Sequence, residues 1–141
     1  MNLTLAPGVL DEVIEHAKAA YPTEACGLIA GPRPTPAARG GEGRRFIPMA
    51  NVAQSAAEFE MDPAELIKIL RDLRNAGEEL AAIFHSHPHG PLHLSRMDIE
   101  RAYYPEAAHL IVCLTQLERP QAAAFRIIDG EVLEIELRAI V

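Results

Sequence analysis

The chain has 141 residues, of which 49% are hydrophobic and 23% are charged, and its formal net charge at pH 7 is −7. This length and composition are typical of one globular domain with one core, so we expect a single domain over residues 1–141. The acidic charge argues against a nucleic-acid partner. Without a basic and apolar leader or a long uncharged apolar run, we expect a cytoplasmic protein with no membrane contact.

The first half of the chain alternates helical and extended patterns. In chain order, we predict a helix, a strand, a loop and a second strand at residues 7–22, 25–31, 32–43 and 44–53. The helix has apolar residues three and four positions apart between two prolines, and Gly31 closes the apolar run of the first strand. The loop is rich in proline and glycine, and it has no hydrophobic anchor. Pro48 places the second strand toward a sheet edge, because proline cannot donate a ladder hydrogen bond.

The second half predicts two more helices and four more strands. These elements are a helix at 61–77, a strand at 79–87, a short helix at 95–104, and strands at 108–115, 122–129 and 131–141. Asp62 is the expected N-cap of the longer helix, and Pro105 ends the shorter one. Asp129 and Gly130 are typical of a hairpin turn between the last two strands. Helices that interleave with strands early, and a meander at the end, predict a mixed β-sheet in an α/β or α+β layer architecture.

The segment FHSHPHGPLHLSRMD, at residues 84–98, contains four of the six histidines. If the preceding strand runs to His87, then His85 and His87 project from the same face, with Cα atoms about 6.5 Å apart. Ser86 then faces the other way. Neutral imidazole is a common zinc ligand, so the two histidines can converge on one ion.

Asp98 is the expected third ligand, because it lies in the first turn of the next helix, where the dipole favours an ionised carboxylate. Each of these features has a simpler explanation when taken alone. A single histidine is more often a surface or core residue, and the sequence from Ser95 to Asp98 also fits a helix capping box. Taken together, the pattern predicts a metal site. Three protein ligands leave one position for water, as in catalytic zinc sites, so hydrolysis is the expected reaction class.

Such a site also needs a general base that is not a ligand. Spacing alone leaves seven candidates open, namely Glu24, Glu58, Glu60, Glu78, Glu79, Glu100 and Glu106. Glu24 differs from the others because it stands at the mouth of the apolar strand in TEACGLIAG. A simple acid at a strand edge remains an alternative at this point.

These residues resemble the JAMM motif of the MPN+ (Mov34/PAD-1, JAB1-type) metalloproteases. The resemblance rests on His85-Ser-His87-Pro, a gap of seven residues, Ser95-x-x-Asp98 and the upstream glutamate. The segment NVAQSAAEFEMDPAEL is similar to the family's middle segment. The resemblance implies a cytidine-deaminase-like fold and one Zn²⁺ per chain, bound by His85, His87 and Asp98. It also implies that Glu24 is the general base and acid, and that Ser95 polarises the scissile carbonyl and stabilises the oxyanion.

The chain is similar to the compact, stand-alone bacterial members of this family. For that type, the resemblance implies substrates that end in a Gly-Gly tail, either ubiquitin-like proteins or sulfur-carrier proteins joined to cysteine or another amine. An extended tail could add to a sheet edge, and the strand with Pro48, continuing through Asn51 and Val52, is the candidate edge. Leu94 departs from the proline that many relatives have before the motif serine. His89 and His93 are expected to be solvated loop residues.

Other functions stay open on the sequence alone. The chain could be a zinc peptidase of another kind, for example one acting on cell-wall peptides, or a non-catalytic scaffold. A zinc deaminase is disfavoured, because its signature is absent. Zinc is favoured by ligand type, although iron or cobalt would also fit. A homodimer is compatible with a small domain of this kind, and Cys26 and Cys113 are expected to be buried reduced thiols.

Overall fold

A computed structural model describes residues 2–36 and 41–140, which form one mixed sheet with helices on both faces. The strands are β1 (Asn2–Leu5), β2 (Cys26–Pro32), β3 (Glu42–Gly43), β4 (Arg45–Met49), β5 (Glu78–His87), β6 (Ala108–Cys113), β7 (Gln121–Ile128) and β8 (Glu131–Ala139). The helices are α1 (Val9–Ala20), α2 (Pro63–Asn75) and α3 (Arg96–Glu100). The strand order is β3-β1-β8-β7-β6-β5-β2-β4, so the expected mixed sheet flanked by helices is confirmed.

Most of the predicted elements form close to their predicted bounds. Asp62 caps α2 and accepts a hydrogen bond from the Glu65 N–H at 3.1 Å. The strand with Pro48 is an edge strand, as predicted, and it pairs antiparallel with β2. The third helix is shorter than predicted and ends at Glu100 rather than before Pro105. Beyond the end of α3, Tyr104 packs against the cluster between α2 and the sheet.

Two strands were not predicted. β1 pairs in parallel with both β8 and β3, and its Leu3 and Leu5 side chains are fully buried. β3 lies at the end of the segment predicted as a loop, residues 32–43, of which 37–40 lie outside the described residues. Both strands are short and pair only with distant parts of the chain, so no local pattern indicates them.

The sheet separates two hydrophobic layers. On one face, α1 packs through Val13 and Ala17 against a cluster that includes Phe84 of β5. On the other face, α2 and the segment leading into α3 cover two smaller clusters, one of which contains Ile83. Because side chains alternate along a strand, His85 and His87 point to the same side as Ile83. None of the described helices is both long and apolar enough to cross a membrane.

Both cysteines are buried and free, which confirms the prediction of reduced thiols. Burial raises the pKa of the Cys26 thiol to about 12, and the nearby Glu24 raises it further. A thiol of this kind stays protonated at neutral pH and is a poor metal ligand.

Candidate metal centre

The candidate site lies where β5 ends, between the mouth of β2 and the first turn of α3. β5 pairs in parallel with β6 and antiparallel with β2, so His85 is flanked by Ile111 and Cys26 on the two sides. His85 and His87 are 1% and 5% exposed, and Ser86 points to the opposite face of the sheet. There the Ser86 hydroxyl accepts a hydrogen bond from the Ala25 N–H at 2.8 Å.

Three side-chain atoms form a nearly equilateral triangle. The Nε2 atoms of His85 and His87 are 3.1 Å apart, and each lies 3.1 Å from Oδ2 of Asp98. Bonds of 2.0–2.1 Å at tetrahedral angles bring ligand atoms to within about 3.3 Å of one another. The spacing therefore fits three ligands of one small cation.

Hydrogen bonding fixes which nitrogen of His87 faces the triangle. Nδ1 of His87 lies 2.7 Å from the carbonyl oxygen of Pro91, which can only accept, so Nδ1 carries a hydrogen. In the neutral ring, Nε2 then has a lone pair directed toward Asp98 and His85. A hydrogen on Nε2 of His87 could be donated to only one of these two neighbours. A cation inside the triangle would contact all three ligand atoms. This arrangement, with Nδ1 bonded to an acceptor, is typical of metal-binding histidines.

The charges in the triangle are strongly coupled. Burial alone would raise the pKa of Asp98, but the contacts from His85 and His87 outweigh it and hold that pKa well below its usual range. Burial lowers the pKa of His85. Burial also opposes protonation of His87, yet hydrogen bonds to Asp98 and the Pro91 carbonyl raise its pKa. The pKa values of the two histidines shift in opposite directions because His85 is more deeply buried and its ring has no carbonyl partner. Asp98 is thus anionic and His85 neutral at pH 7, the states that bind metal.

Glu24 is held next to the triangle by its backbone. Its N–H donates to the Ser55 carbonyl at 2.8 Å, and its own carbonyl accepts from Nδ2 of Asn51 at 3.0 Å. The side chain is 4% exposed, and its Oε1 has no hydrogen-bond partner among the described residues. Burial raises the pKa of Glu24 to about 7, and the positive charge of His87 partly opposes this shift. A buried carboxylate that titrates near neutral pH can both take and return a proton.

Two sets of ligands can be drawn from these residues. Ligand atoms of Glu24, His85 and His87 all lie within 4.8 Å of one another, which is compatible with a shared ion. The distances of 3.1 Å from Asp98 to both histidines define a tighter set. The atoms of the tighter set are already at ligand spacing, and this set does not include Glu24.

Ser95 and Asp98 form a helix capping box, which was the simpler explanation of their spacing in the sequence. The Ser95 hydroxyl oxygen accepts from the Asp98 N–H at 3.1 Å, and the Ser95 N–H donates to Oδ2 of Asp98 at 2.8 Å. Among the described residues, no atom accepts a hydrogen bond from the Ser95 hydroxyl. The capping box therefore orients Asp98 toward the histidines and leaves the hydroxyl able to donate to a bound molecule.

The remaining features of this segment agree with the sequence. His89 and His93 are exposed loop residues, as predicted. Leu94, at the position where many relatives have proline, is 6% exposed and packs with Ile111 and Phe125. It anchors the loop by hydrophobic contact, so the departure from the family pattern does not loosen the loop.

A cavity of about 480 Å³ opens beside the triangle. His85 and Asp98 are among the residues that line it. Its walls come from β2, β5, α2, α3 and the segments around them, and they include Leu28, Glu58, Phe59, Met61, Leu66, Ile83, Met97, Arg101, Tyr104 and His109. The mostly apolar walls and the few polar groups are typical of a binding site.

Three residues of the site were not singled out for these roles from the sequence. The Pro91 carbonyl orients His87, as described above. Phe59 stacks on the His85 ring, with centroids 4.5 Å apart and planes at 26°. Asn51 was noted only as part of a candidate edge, whereas its amide is fully used in hydrogen bonds. A lone asparagine or phenylalanine has no spacing signal, so only its three-dimensional contacts identify it.

Comparison with known proteins gives consistent matches. Residues 6–128 match the family model described as prokaryotic homologs of the JAB domain. The CysO-cysteine peptidase of Mycobacterium tuberculosis is 32% identical over 134 residues, which are 94% of this chain and 87% of that protein. A solved structure from Desulfitobacterium hafniense is 34% identical, with a TM-score of 0.82, over 99% of this chain and 93% of that chain. A JAB1/MPN domain protein from Archaeoglobus fulgidus, at 20% identity, has a TM-score of 0.59 over 96% of this chain and 99% of that chain, which shows a shared fold.

Proposed function

The chain belongs to the prokaryotic JAB family, and from this premise we propose that it is a zinc-dependent hydrolase of sulfur-carrier conjugates. That it is a peptidase follows from the family match and the named relative. The observation that carries the proposal is the triangle of His85, His87 and Asp98 atoms beside the buried Glu24 carboxylate. A zinc ion bound by the triangle would supply Lewis acidity and a water with a pKa lowered to about 7.

Glu24 is the proposed general base and acid. Its carboxylate takes a proton from the attacking water as the oxygen bonds to the scissile carbonyl carbon. It then delivers that proton to the leaving nitrogen as the C–N bond breaks. The second proton of the water leaves the new carboxyl group for solvent or the amine at neutral pH, so the products are a carboxylate and an amine. A pKa of about 7 suits both steps, because each protonation state is then accessible at neutral pH.

Ser95 is the proposed donor to the scissile carbonyl oxygen. Its hydroxyl oxygen already accepts from the Asp98 N–H, which fixes its position at the N-terminus of α3. The hydroxyl can then donate its proton to the carbonyl oxygen on which negative charge develops.

The proposed substrate is a small sulfur-carrier or ubiquitin-like protein, joined through a C-terminal Gly-Gly tail to cysteine or another amine. A relative at 32% identity is named for cleavage of a carrier–cysteine conjugate. We place the tail in the cavity rather than along β4. His85 and Asp98 open into the cavity, whereas Pro48 of β4 lines a separate groove beside α1.

Two alternatives remain, a zinc peptidase with other peptide substrates and a non-catalytic scaffold. The retained ligands and base argue against a scaffold, since a scaffold has no need for a buried Glu24 with a pKa near 7. We also propose that residues 1–141 act as one domain, because one sheet joins strands from both ends of the described chain. A cytoplasmic location and a homodimer stay predictions.

The proposal is tested by intact-mass analysis of a Gly-Gly-ended carrier protein joined to cysteine. We expect zinc-loaded wild type to release the free carrier, and wild type with excess chelator to release none. Glu24→Gln should retain its zinc and lose at least about 100-fold in turnover, because the proton carrier is removed while the triangle is intact. No cleavage by zinc-loaded wild type would exclude this substrate class, and wild-type turnover by Glu24→Gln would exclude Glu24 as the base.

A further inference from the structure

The side chain of Asn51 makes four hydrogen bonds, the full capacity of an amide. Its Nδ2 donates to the carbonyl of Glu24 and to that of Glu58, both at 3.0 Å. Its Oδ1 accepts from the N–H of Ala53 at 3.1 Å and from that of Glu60 at 3.0 Å. One side chain therefore joins three positions of a surface segment to the backbone of the candidate base.

The segment held in this way, residues 51–60, is a closed loop. Its ends meet where the Val52 N–H donates to the Glu60 carbonyl at 2.9 Å. Part of the loop returns to Glu24, because the Ser55 carbonyl accepts from the Glu24 N–H at 2.8 Å. Both backbone polar groups of Glu24 are thus bonded to the 51–60 loop. The next residue along the chain is bonded instead to Ser86 of β5.

The same loop also contacts one residue of the triangle, His85. Phe59 stacks on the His85 ring with centroids 4.5 Å apart, while Nδ1 of His85 has no hydrogen-bond partner among the described residues. Nδ1 of His87 is held by the Pro91 carbonyl, whereas the His85 ring, whose Nε2 faces Asp98, packs against Phe59. The position of the 51–60 loop therefore affects both the base and one ligand.

We propose that Asn51 is a positioning residue for Glu24: its amide fixes the 51–60 loop to the Glu24 backbone, and so sets how far the Glu24 carboxylate reaches toward the triangle. This inference rests on the proposed role of Glu24 as the base. Asn51 does not touch the reacting atoms, and it acts through the two backbone contacts of Glu24. A carboxylate displaced by about 1 Å is enough to lower turnover by about 100-fold.

The decisive variant is Asn51→Asp, which is nearly isosteric. It retains the oxygen that accepts from Ala53 and Glu60, so the loop stays closed. It loses the donor to the Glu24 and Glu58 carbonyls and places an acceptor against both, while the Val52 N–H still closes the loop onto the Glu60 carbonyl. Because this variant also adds a negative charge, Ala56→Asp is the matched control: Ala56 is exposed in the same loop and takes no part in the Asn51 contacts.

Three quantities are measured on the full-length, zinc-loaded proteins: bound zinc, kcat and KM on the carrier–cysteine conjugate, and amide hydrogen exchange at Glu24. For Asn51→Asp we expect wild-type zinc content and a kcat about 10- to 100-fold lower, with a smaller change in KM. We also expect faster exchange at Glu24 and unchanged exchange at Leu110, in the sheet centre. Ala56→Asp should match wild type in all three.

A purely structural asparagine would give a different result. If Asn51 only stabilised the fold, Asn51→Asp would have a lower thermal midpoint, while its kcat per zinc-loaded molecule stayed within about twofold of wild type. That outcome, or unchanged exchange at Glu24, would overturn the proposal. If wild type fails to cleave the conjugate, the proposed function fails but the exchange measurement still decides whether Asn51 holds the Glu24 backbone.

Discussion

Asp98 links the local structure of α3 to the chemistry of the site. Its Oδ2 accepts from the Ser95 N–H and also lies 3.1 Å from both histidine nitrogens. The carboxylate that caps α3 is therefore also the one proposed as the third ligand. The capping interaction restricts the side chain to the rotamer that faces His85 and His87, so little conformational freedom remains to be lost when a cation binds.

A substitution at Asp98 can separate these two roles. Asp98→Asn retains an oxygen that can accept from Ser95 but removes the negative charge of the ligand. We expect zinc affinity to fall at least about 100-fold, since even partners of metal ligands are commonly worth 10- to 100-fold. Competition with a chromophoric chelator measures the affinity. Glu100→Ala, at an exposed position of the same helix, is the control and should bind zinc like wild type. Wild-type affinity in Asp98→Asn would place the third ligand elsewhere, with Glu24 the first alternative.

At the residue scale, the sequence predicted the positions that depend on local periodicity. The alternation of a strand placed His85 and His87 on one face, and the helix start brought Asp98 to them. The residues that orient these groups could not be predicted, because Asn51 contacts Glu24 across 27 positions and Phe59 reaches His85 from another segment. Such contacts exist only once the sheet has assembled.

At the element scale, success in predicting an element from the sequence depended on how far apart in the chain its pairing partners lie. β5, α2 and the β7–β8 hairpin have strong local signals, namely alternation or helical spacing, a proline at a helix start and a turn dipeptide. β1 and β3 have none, since four and two residues are too short for a periodic pattern. Their pairing is parallel and joins distant segments, so it is decided by the assembled sheet rather than by the strands themselves.

The short strand β3 leads to a prediction about Gly31 in β2. A Cβ atom at Gly31 would lie 1.7 Å from the carbonyl oxygen of Glu42, which belongs to the backbone and cannot rotate away. We expect Gly31→Ala to lower the free energy of unfolding by about 1–3 kcal/mol, the usual cost of overpacking. Urea denaturation measures this loss. Because Gly31 lies at the opposite end of β2 from Glu24, zinc content and kcat of the folded variant should equal those of wild type. An unchanged midpoint would mean that β3 moves freely away from β2.

At the scale of the whole molecule, the sheet brings the site together from segments that are far apart in the chain. β5 carries the two histidines of the triangle at its carboxyl end, and the mouth of β2 carries Glu24, the proposed base. The segment after β5 returns through α3 with Asp98, the proposed third ligand. α1 covers the opposite face and does not line the cavity. The sequence predicted the layers and the mixed sheet, but the strand order could not be deduced, because many orders satisfy the same hydrophobic patterns.

The buried His109 on β6 makes the stability of the whole molecule depend on pH. Burial lowers the pKa of His109 to about 4. Electrostatic repulsion from Arg126, and from His85 in its protonated form, adds to this effect, while Asp98 opposes it. In the unfolded chain, the imidazole titrates near its ordinary value of about 6.5. Between these two values the unfolded chain binds more protons than the native protein. The free energy of unfolding therefore falls as the pH falls through this window, and the loss reaches up to about 3 kcal/mol at its lower end.

Replacing His109 by a neutral amide should remove this part of the pH dependence. His109→Gln should be less stable than wild type at pH 7.5, where the wild-type imidazole is neutral and buried, but the difference should shrink as the pH is lowered to 4.5. Urea denaturation of both proteins at several pH values measures the difference, in which zinc release common to both proteins cancels. A stability difference that stays constant over the whole pH range would show that the His109 imidazole is already protonated in the native protein at pH 4.5 to 6. Burial of His109 beside the cavity would then oppose protonation less than its low exposure indicates.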